Sequence, residues 1–320
     1  MSDAGGSPNG RSRKHPPSRA EFEAGLADIE AQMRATNDKI NARSGRNLSM
    51  AIIIGLALGL ALLASLLIVK WLFMFFAAIL LVVSAVELAS ALRSAGRDVP
   101  RIPIVIAALG IIPASFFEVA GLTRDAGHWL AALAGIALVS IWRIAELVLP
   151  SRRGPFKEVV KDLLAGVLVM TYVVFLASFA VLLTASEDGQ YWTLAFLIVV
   201  VSTDVGAYAF GVLFGKHPMA PTISPKKTWE GFGGAALVAT IAAVLLAIFM
   251  LDEPWWVGVI LSISMLLTAV SGDLAESLIK RDLGIKDISS WLPGHGGLLD
   301  RLDSVLLSAP VAYALFLIFT

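Results

Sequence analysis

The sequence predicts an all-α integral membrane protein with about nine transmembrane helices. Of its 320 residues, 57% are hydrophobic and only 16% are charged, whereas an average soluble domain carries roughly 25% charged residues. The apolar residues are gathered into nine segments, each near the ~20 residues that a helix needs to cross a bilayer. The chain has no cysteine, which excludes disulfides, thiolate metal sites and a cysteine nucleophile.

The first 49 residues form a polar extension before the first span. Residues 1–19 are rich in Gly, Ser, Pro and Arg, a composition typical of disorder. In residues 20–42, apolar side chains recur at helical spacing from Phe22 to Met33, which predicts a cytoplasmic amphipathic helix. This helix could bind a partner or lie on the membrane, and a solvated helix is the simpler interpretation. No cleavable signal peptide is expected, because the extension is polar.

The predicted spans follow this extension in order. Their expected bounds are 50–69, 71–92, 102–120, 127–148, 163–184, 191–214, 233–251, 255–279 and 302–320. The third and fourth spans are the least regular, because Pro103, Pro113 and Arg143 interrupt or flank them.

Polar residues divide the spans into two groups. The first five spans, 50–184, contain few polar residues. We expect glutamates near their ends, such as Glu87, to reach the interface or to pair locally. The last four spans, 191–320, contain most of the polar residues, together with the inner loops 216–230 and 280–301. We therefore expect a transmembrane support region followed by a working region.

Charge orients the predicted bundle. With the N-terminus in the cytoplasm, all of the 25 Lys and Arg residues except Lys70 and Arg124 lie on the cytoplasmic side. This is the positive-inside distribution. It predicts a multi-pass protein of the plasma membrane, with its C-terminus on the outer side and its charged loops facing the cytoplasm.

The densest charge lies between the last two spans, in residues 271–304. Asp273 and Glu276 are three residues apart near the inner end of the eighth span, and Asp300 and Asp303 repeat this spacing at the start of the ninth. We expect both helix ends to present carboxylates at one membrane depth, where they could bind Mg²⁺ together with substrate phosphates. For the second pair, the alternative is a favourable placement of acids at a helix N-terminus.

Two polar features precede this segment. Asp204 falls near the middle of the sixth span, where a carboxylate is costly unless it faces a polar cavity or a partner; a buried hydrogen bond between helices is the alternative. In the next loop, Ser224 and Pro225 predict an N-cap followed by proline at the first helical position. Lys226 and Lys227 would then lie in the first helical turn and bind an anion, unless the loop is an ordinary positive-inside loop.

At these residues the sequence resembles the phosphatidate cytidylyltransferase (CDP-diacylglycerol synthase) family. The C-terminal pattern of that family, S-x-x-K-R-x4-K-D and then P-x-H-G-G-x-x-D-R-x-D, is matched without a departure. The matching residues are Ser277, Lys280, Arg281, Lys286, Asp287, Pro293, His295, Gly296, Gly297, Asp300, Arg301 and Asp303. An upstream pattern is matched by Asp204, Ala207, Tyr208 and residues 224–231. The resemblance is strong over about 204–303.

The resemblance implies transfer of a cytidylyl group from CTP to phosphatidate, giving CDP-diacylglycerol and pyrophosphate in phospholipid biosynthesis. It implies Mg²⁺ at Asp273, Asp300 and Asp303, with room for a second cation such as K⁺. The implied catalytic residues are Asp273, Lys280, Arg281 and Asp300. The implied substrate contacts are Asp204, Ser224, Lys226, Lys227, Thr228, Glu230, Lys286, His295 and Arg301. Such a transfer requires no enzyme nucleophile, since positioning and charge neutralisation supply most of the catalysis.

Two alternatives remain open. One is a CTP-dependent lipid kinase, such as a polyprenol kinase, and the other is a transporter or a non-catalytic membrane scaffold. A transporter would carry paired repeats and broken helices in both halves, whereas polar residues here are concentrated in one half. The expected partners are CTP, phosphatidate and membrane lipid, without nucleic acid, and a homodimer is left open.

Overall fold

The computed structural model describes residues 48–118, 121–289 and 296–320. Within these ranges the chain forms nine α-helices, which are α1 (Leu48–Leu67), α2 (Lys70–Ser94), α3 (Arg101–Phe116), α4 (Arg124–Glu146), α5 (Phe156–Ala185), α6 (Gly189–Phe214), α7 (Trp229–Phe249), α8 (Trp255–Asp282) and α9 (Leu299–Phe319). The middle of α5, Val169–Phe175, is π-helical. A 3-10 turn, Pro150–Arg152, and an antiparallel hairpin of β1 (Pro218–Ala220) and β2 (Ser224–Thr228) complete the elements.

The predicted class, an all-α integral membrane protein, is confirmed. Among the described residues, the seven helices α2 and α4 to α9 are long and apolar enough to cross a membrane, and α3 is a shorter apolar helix of 16 residues. Each helix overlaps one predicted span. The number of spans and the orientation of the termini stay predictions. The amphipathic helix predicted at 20–42 lies outside the described residues.

Two apolar clusters form the core of the compact unit Ile54–Thr320. One joins α2, α3 and α5 and includes the fully buried Leu88 and Ile104. The other joins α5, α6, α7, α8 and α9 and includes Phe196 and Met265. Because the last helices share one cluster, their ends are held in a fixed relation to one another.

Glycines allow close contact between helices of the second cluster. A Cβ at Gly206 in α6 would lie 2.8 Å from the backbone oxygen of Gly234 in α7. A Cβ at Gly272 in α8 would collide with the backbone oxygen of Asp303 in α9. Small residues let membrane helices approach in this way. The backbones of α8 and α9 therefore touch beside the acidic residues that the sequence singles out.

A buried ion pair explains how α4 accommodates a charge. Arg143 is buried, and its Nη2 and Nε donate to Asp162 Oδ2 of α5 at 2.8 and 3.2 Å. The other oxygen of Asp162 accepts the backbone N–H of Asp98 at 2.9 Å, from the connection between α2 and α3. Pairing of this kind makes a buried guanidinium tolerable, and it ties three elements of the predicted support region together.

Candidate active site

Lys280 joins the end of α8 to the start of α9. Its Nζ donates to Glu276 Oε2 at 2.9 Å and to Asp300 Oδ1 at 2.8 Å. Glu276 is fully buried, and the side chains of Lys280 and Asp300 are only 17% and 9% exposed. Glu276 and Lys280 are four residues apart and lie on one helical face, as their spacing predicts. The two helix ends thus meet at one place, with two carboxylates bound to one ammonium group.

Asp300 also holds the turn that leads into α9. Its Oδ2 accepts the backbone N–H groups of Gly297 at 3.0 Å and Ile288 at 3.1 Å. A Cβ at Gly297 would lie 2.7 Å from the same oxygen, and Gly296 has a φ of +86°. Both glycines are therefore required, one for the close approach and one for the left-handed backbone. Each oxygen of Asp300 is engaged by a donor, which makes this residue an organiser of the turn.

The interpretation of Ser224 and Pro225 as a helix N-terminus is wrong. Residues Ser224–Thr228 form strand β2, and α7 begins only at Trp229. Thr228 is the N-cap, because its Oγ1 accepts the N–H of Gly231 at 3.1 Å. The residue before a proline favours extended backbone, and pairing with β1 gives the backbone of β2 its hydrogen-bond partners. Lys226 and Lys227 consequently lie on a strand, and the macrodipole argument for an anion there does not apply.

The strand directs Lys227 towards α8. Its Nζ lies 2.5 Å from Asp273 Oδ2, and Ser277 Oγ donates to Asp273 Oδ1 at 3.3 Å. The side chains of Lys227 and Asp273 are 21% and 33% exposed, so this pair remains accessible. Lys226, the neighbour on the strand, is exposed. Arg281 also reaches the hairpin, since its Nε donates to the backbone oxygen of Ile223 at 3.4 Å.

Glu230 fixes the other end of the hairpin. Its Oε1 lies 2.5 Å from Nδ1 of His217, and its Oε2 accepts the backbone N–H groups of Lys216 and His217 at 3.1 and 3.2 Å. The N–H of Trp229 donates to the backbone oxygen of His217 at 3.0 Å. Thr228 and Glu230, both predicted as substrate contacts, therefore shape the hairpin that carries Lys226 and Lys227.

Glu87 of α2 belongs to the same assembly, and sequence reasoning missed it. This carboxylate is 5% exposed. Its Oε1 accepts Ser289 Oγ at 2.5 Å and the N–H of Leu298 at 3.1 Å, and its Oε2 accepts the N–H of Leu299 at 2.8 Å. A carboxylate thus caps the first turn of α9, where the macrodipole favours negative charge. The position of an acid inside an otherwise apolar span could have indicated this role.

The other predicted site residues differ in their placement. Asp204 of α6 has an exposed side chain, close enough to Asp273 and Asp303 for their charges to interact. The side chains of Lys286 and Arg301 are exposed. His295 lies outside the described residues.

The predicted metal ligands fit Mg²⁺ as a pair of carboxylates rather than as a complete cage. Among the described residues, no three His, Asp or Glu side chains gather as a metal site. Asp273 and Asp303 lie on helices whose backbones touch at Gly272, and Glu276 Oε1 is buried without a described hydrogen-bond partner. Magnesium commonly takes one or two carboxylates and completes its shell with water and phosphate oxygens. The donor set here suits that mode of binding.

These contacts define a class of protein. A helical membrane protein carries carboxylates and exposed bases where a hairpin and two helix ends meet, an arrangement typical of enzymes that act on phosphate groups. The model of the cytidylyltransferase family matches residues 49–319. The chain belongs to this family, and it is a nucleotidyltransferase.

Proteins named phosphatidate cytidylyltransferase are similar to most of the chain. That of Mycobacterium bovis is 40% identical over 281 residues, which cover 85% of this chain and 89% of that protein. That of Mycobacterium leprae is 39% identical over 296 residues, covering 90% and 93%. That of Staphylococcus saprophyticus is 35% identical over 213 residues, covering 66% and 77%. The family expected from the motifs is thus confirmed.

Proposed function

We propose that this enzyme transfers a cytidylyl group from CTP to phosphatidate, forming CDP-diacylglycerol and releasing pyrophosphate. The observation that supports the proposal best is the ionic assembly of Lys227 with Asp273 and of Lys280 with Glu276 and Asp300. The names of the relatives support CTP and phosphatidate as the substrates. A lipid phosphate and a soluble nucleotide must meet at a membrane surface, and this assembly lies where two apolar helices end.

In the proposed reaction, a phosphate oxygen of phosphatidate attacks the α-phosphorus of CTP. The bond from the α-phosphorus to the oxygen bridging it to the β-phosphorus breaks, and its electron pair leaves with pyrophosphate. The chain positions both substrates and offsets negative charge. Lys226, Lys227 and Arg281 suit contact with phosphates, because they are exposed or half-buried on the hairpin and beside it.

Lys280 suits a positioning role better than a direct contact. Its ammonium group already faces two carboxylates in a largely buried setting. Of the three metal ligands that the resemblance implies, Asp273 and Asp303 would hold Mg²⁺, which would neutralise phosphate charge as a Lewis acid. Asp300 would orient the turn beside them, because both of its oxygens already accept hydrogen bonds. Asp204, Lys286, Arg301 and His295 are proposed as further substrate contacts. A second cation such as K⁺ and a homodimer stay predictions.

We also propose that the enzyme lies in the plasma membrane and crosses it nine times. Its N-terminus and its active site would both face the cytoplasm. The distribution of Lys and Arg between the two sides supports this orientation. The nine helices, each overlapping a predicted span, are compatible with it. CTP would then reach the site from the compartment in which it is made.

Pyrophosphate release by the purified enzyme in detergent tests the proposal. The assay contains CTP, phosphatidate and Mg²⁺, and controls omit each component or replace CTP by ATP. We expect release only with all three components, together with a lipid product that carries the cytidine. In a parallel assay with polyprenol in place of phosphatidate, formation of CDP and a newly phosphorylated lipid would instead establish a lipid kinase. Absence of both products from a folded enzyme would favour a non-catalytic scaffold.

A further inference from the structure

An apolar cavity of about 380 Å³ lies between α1, α2, α5, α6 and α9. Its walls include Phe76 and Ala77 of α2, Ala180 of α5 and Leu302 of α9. Nearly all of its lining is hydrocarbon. The volume lies within the usual range of small-molecule pockets. The cavity is therefore suited to an apolar ligand.

The cavity is elongated and begins at the level of the active site. On α9, its lining extends from Leu298, which precedes the first helical residue, to Leu306, about 12 Å further along the helix. On α2, it extends from Ser84 to Phe73, a rise of about 16 Å. Leu298 donates its N–H to Glu87, within the assembly that holds Asp300. One end of the cavity is thus adjacent to the proposed reaction site, and its length follows the helices into the membrane.

Two polar groups line this otherwise apolar cavity. Arg301, which follows Asp300 directly, contributes a cation at the end near the active site. Ser84 contributes a hydroxyl that is buried and has no hydrogen-bond partner among the described residues. A buried hydroxyl without a partner is costly. A ligand with an acceptor atom near one end of a hydrocarbon chain would satisfy this hydroxyl.

We propose that this cavity binds one acyl chain of the lipid acceptor and that Ser84 donates a hydrogen bond to the ester carbonyl of that chain. The phosphate of the same lipid then lies towards Arg301 and the ionic assembly. An acidic phospholipid fits both features, because it joins a negative headgroup, ester oxygens and hydrocarbon in this order. The inference rests on the proposed function for the identity of the lipid as phosphatidate.

Filling the cavity tests the proposal. Ala77 lies seven residues from Ser84, about 10 Å along α2, so Ala77→Trp would obstruct a long chain and spare a short one. We expect kcat/KM for dioleoyl phosphatidate to fall by about tenfold or more, since burial of two methylenes contributes that much to binding. Turnover of dihexanoyl phosphatidate would stay near that of the unmodified enzyme. Ala180→Phe approaches the same space from α5 and gives an independent variant.

Ile79→Trp is the matched control, because Ile79 is 64% exposed on the same helix and does not line the cavity. It is expected to leave the preference between the two lipids unchanged. Ser84→Ala is expected to raise KM for diacyl phosphatidate by about tenfold, with little effect on the dialkyl ether analogue, which lacks the carbonyl. Equal effects on ester and ether lipids would contradict the hydrogen bond.

A binding measurement separates this inference from the proposed function. Dioleoyl phosphatidate without CTP should raise the melting temperature of the unmodified enzyme, since a ligand of the folded state stabilises it, and the rise should be smaller for Ala77→Trp. If no cytidylated lipid forms but this stabilisation is lost on filling, the proposed reaction fails and the cavity remains a lipid site. If the reaction proceeds and both filled variants keep the chain-length preference, the acyl-chain site is refuted.

Discussion

Glu87→Gln is expected to disable the active site while leaving the helix bundle folded. The carboxylate accepts three hydrogen bonds from Ser289, Leu298 and Leu299, at 2.5 to 3.1 Å. A hydrogen bond to a charged group contributes about 1.5–3 kcal/mol. An amide retains one acceptor oxygen and turns an N–H donor towards a backbone N–H, so at least one of these bonds is lost. A loss of about 2 kcal/mol of local stabilisation would make the turn before α9 more mobile, and Asp300 would be held less firmly.

The kinetic expectation is a fall in kcat of about tenfold or more, because 1.4 kcal/mol of lost positioning corresponds to a factor of ten. The amide protons of Leu298 and Leu299 should exchange faster, whereas those in the middle of α2 should not change. Glu146→Gln is the matched control, since its carboxylate accepts only an exposed contact from Trp142 among the bonds described. Unchanged kcat together with unchanged exchange at both leucines would refute the role assigned to Glu87.

Three further substitutions follow from the same geometry. Lys227→Ala should raise KM for CTP or phosphatidate about tenfold. The melting temperature should change little, since accessible ion pairs contribute about 0–1 kcal/mol to stability. Unchanged kinetics for both substrates would exclude a phosphate contact. Lys280→Met should destabilise the enzyme by about 3 kcal/mol, because it leaves a buried carboxylate unpaired. The double variant with Glu276→Gln should recover part of this stability, as measured by thermal unfolding. No recovery would contradict the pairing of Lys280 with Glu276. Gly272→Ala should lower both stability and activity, because its Cβ meets the α9 backbone, whereas Gly233→Ala, with no described atom within 4 Å of the new Cβ, should change neither.

The helices were predictable because a membrane imposes one simple requirement. Each span must satisfy its backbone hydrogen bonds internally and present hydrocarbon outside, so length and hydropathy suffice to locate it. The candidate site was also recognisable from the sequence, because charged residues are scarce in this chain and are concentrated there. Asp273, Glu276 and Asp300 were selected from their spacing, and Lys280 from its match to the family pattern. The contacts of Lys280 with Glu276 and Asp300 support the idea that the ends of α8 and α9 converge.

The hairpin was not predictable from the same rules. Ser224 followed by Pro225 satisfies the local pattern of a helix start, and so does Thr228 followed by Trp229 and Glu230. The choice depends on β1, which pairs Pro218 with Thr228, and on Glu230, which binds backbone groups thirteen and fourteen residues earlier. Local propensity carries no information about such a partner. The sequence pattern therefore singled out Lys226 and Lys227 but predicted that they lie on a helix, whereas they lie on a strand.

A chain of contacts now relates the plain first half of the protein to its charged second half. Glu87 in α2 binds the N–H of Leu299, Asp300 in the next position binds Lys280, and Lys280 binds Glu276 in α8. Two carboxylates, Glu276 and Asp300, therefore face one largely buried ammonium group, and Glu87 caps the helix that carries Asp300. This excess of negative charge is unfavourable by itself, and cations gathered beside it would offset the excess. The exposed lysines and the proposed Mg²⁺ would meet this electrostatic requirement, and Glu87, although remote in sequence, holds the turn that presents Asp300.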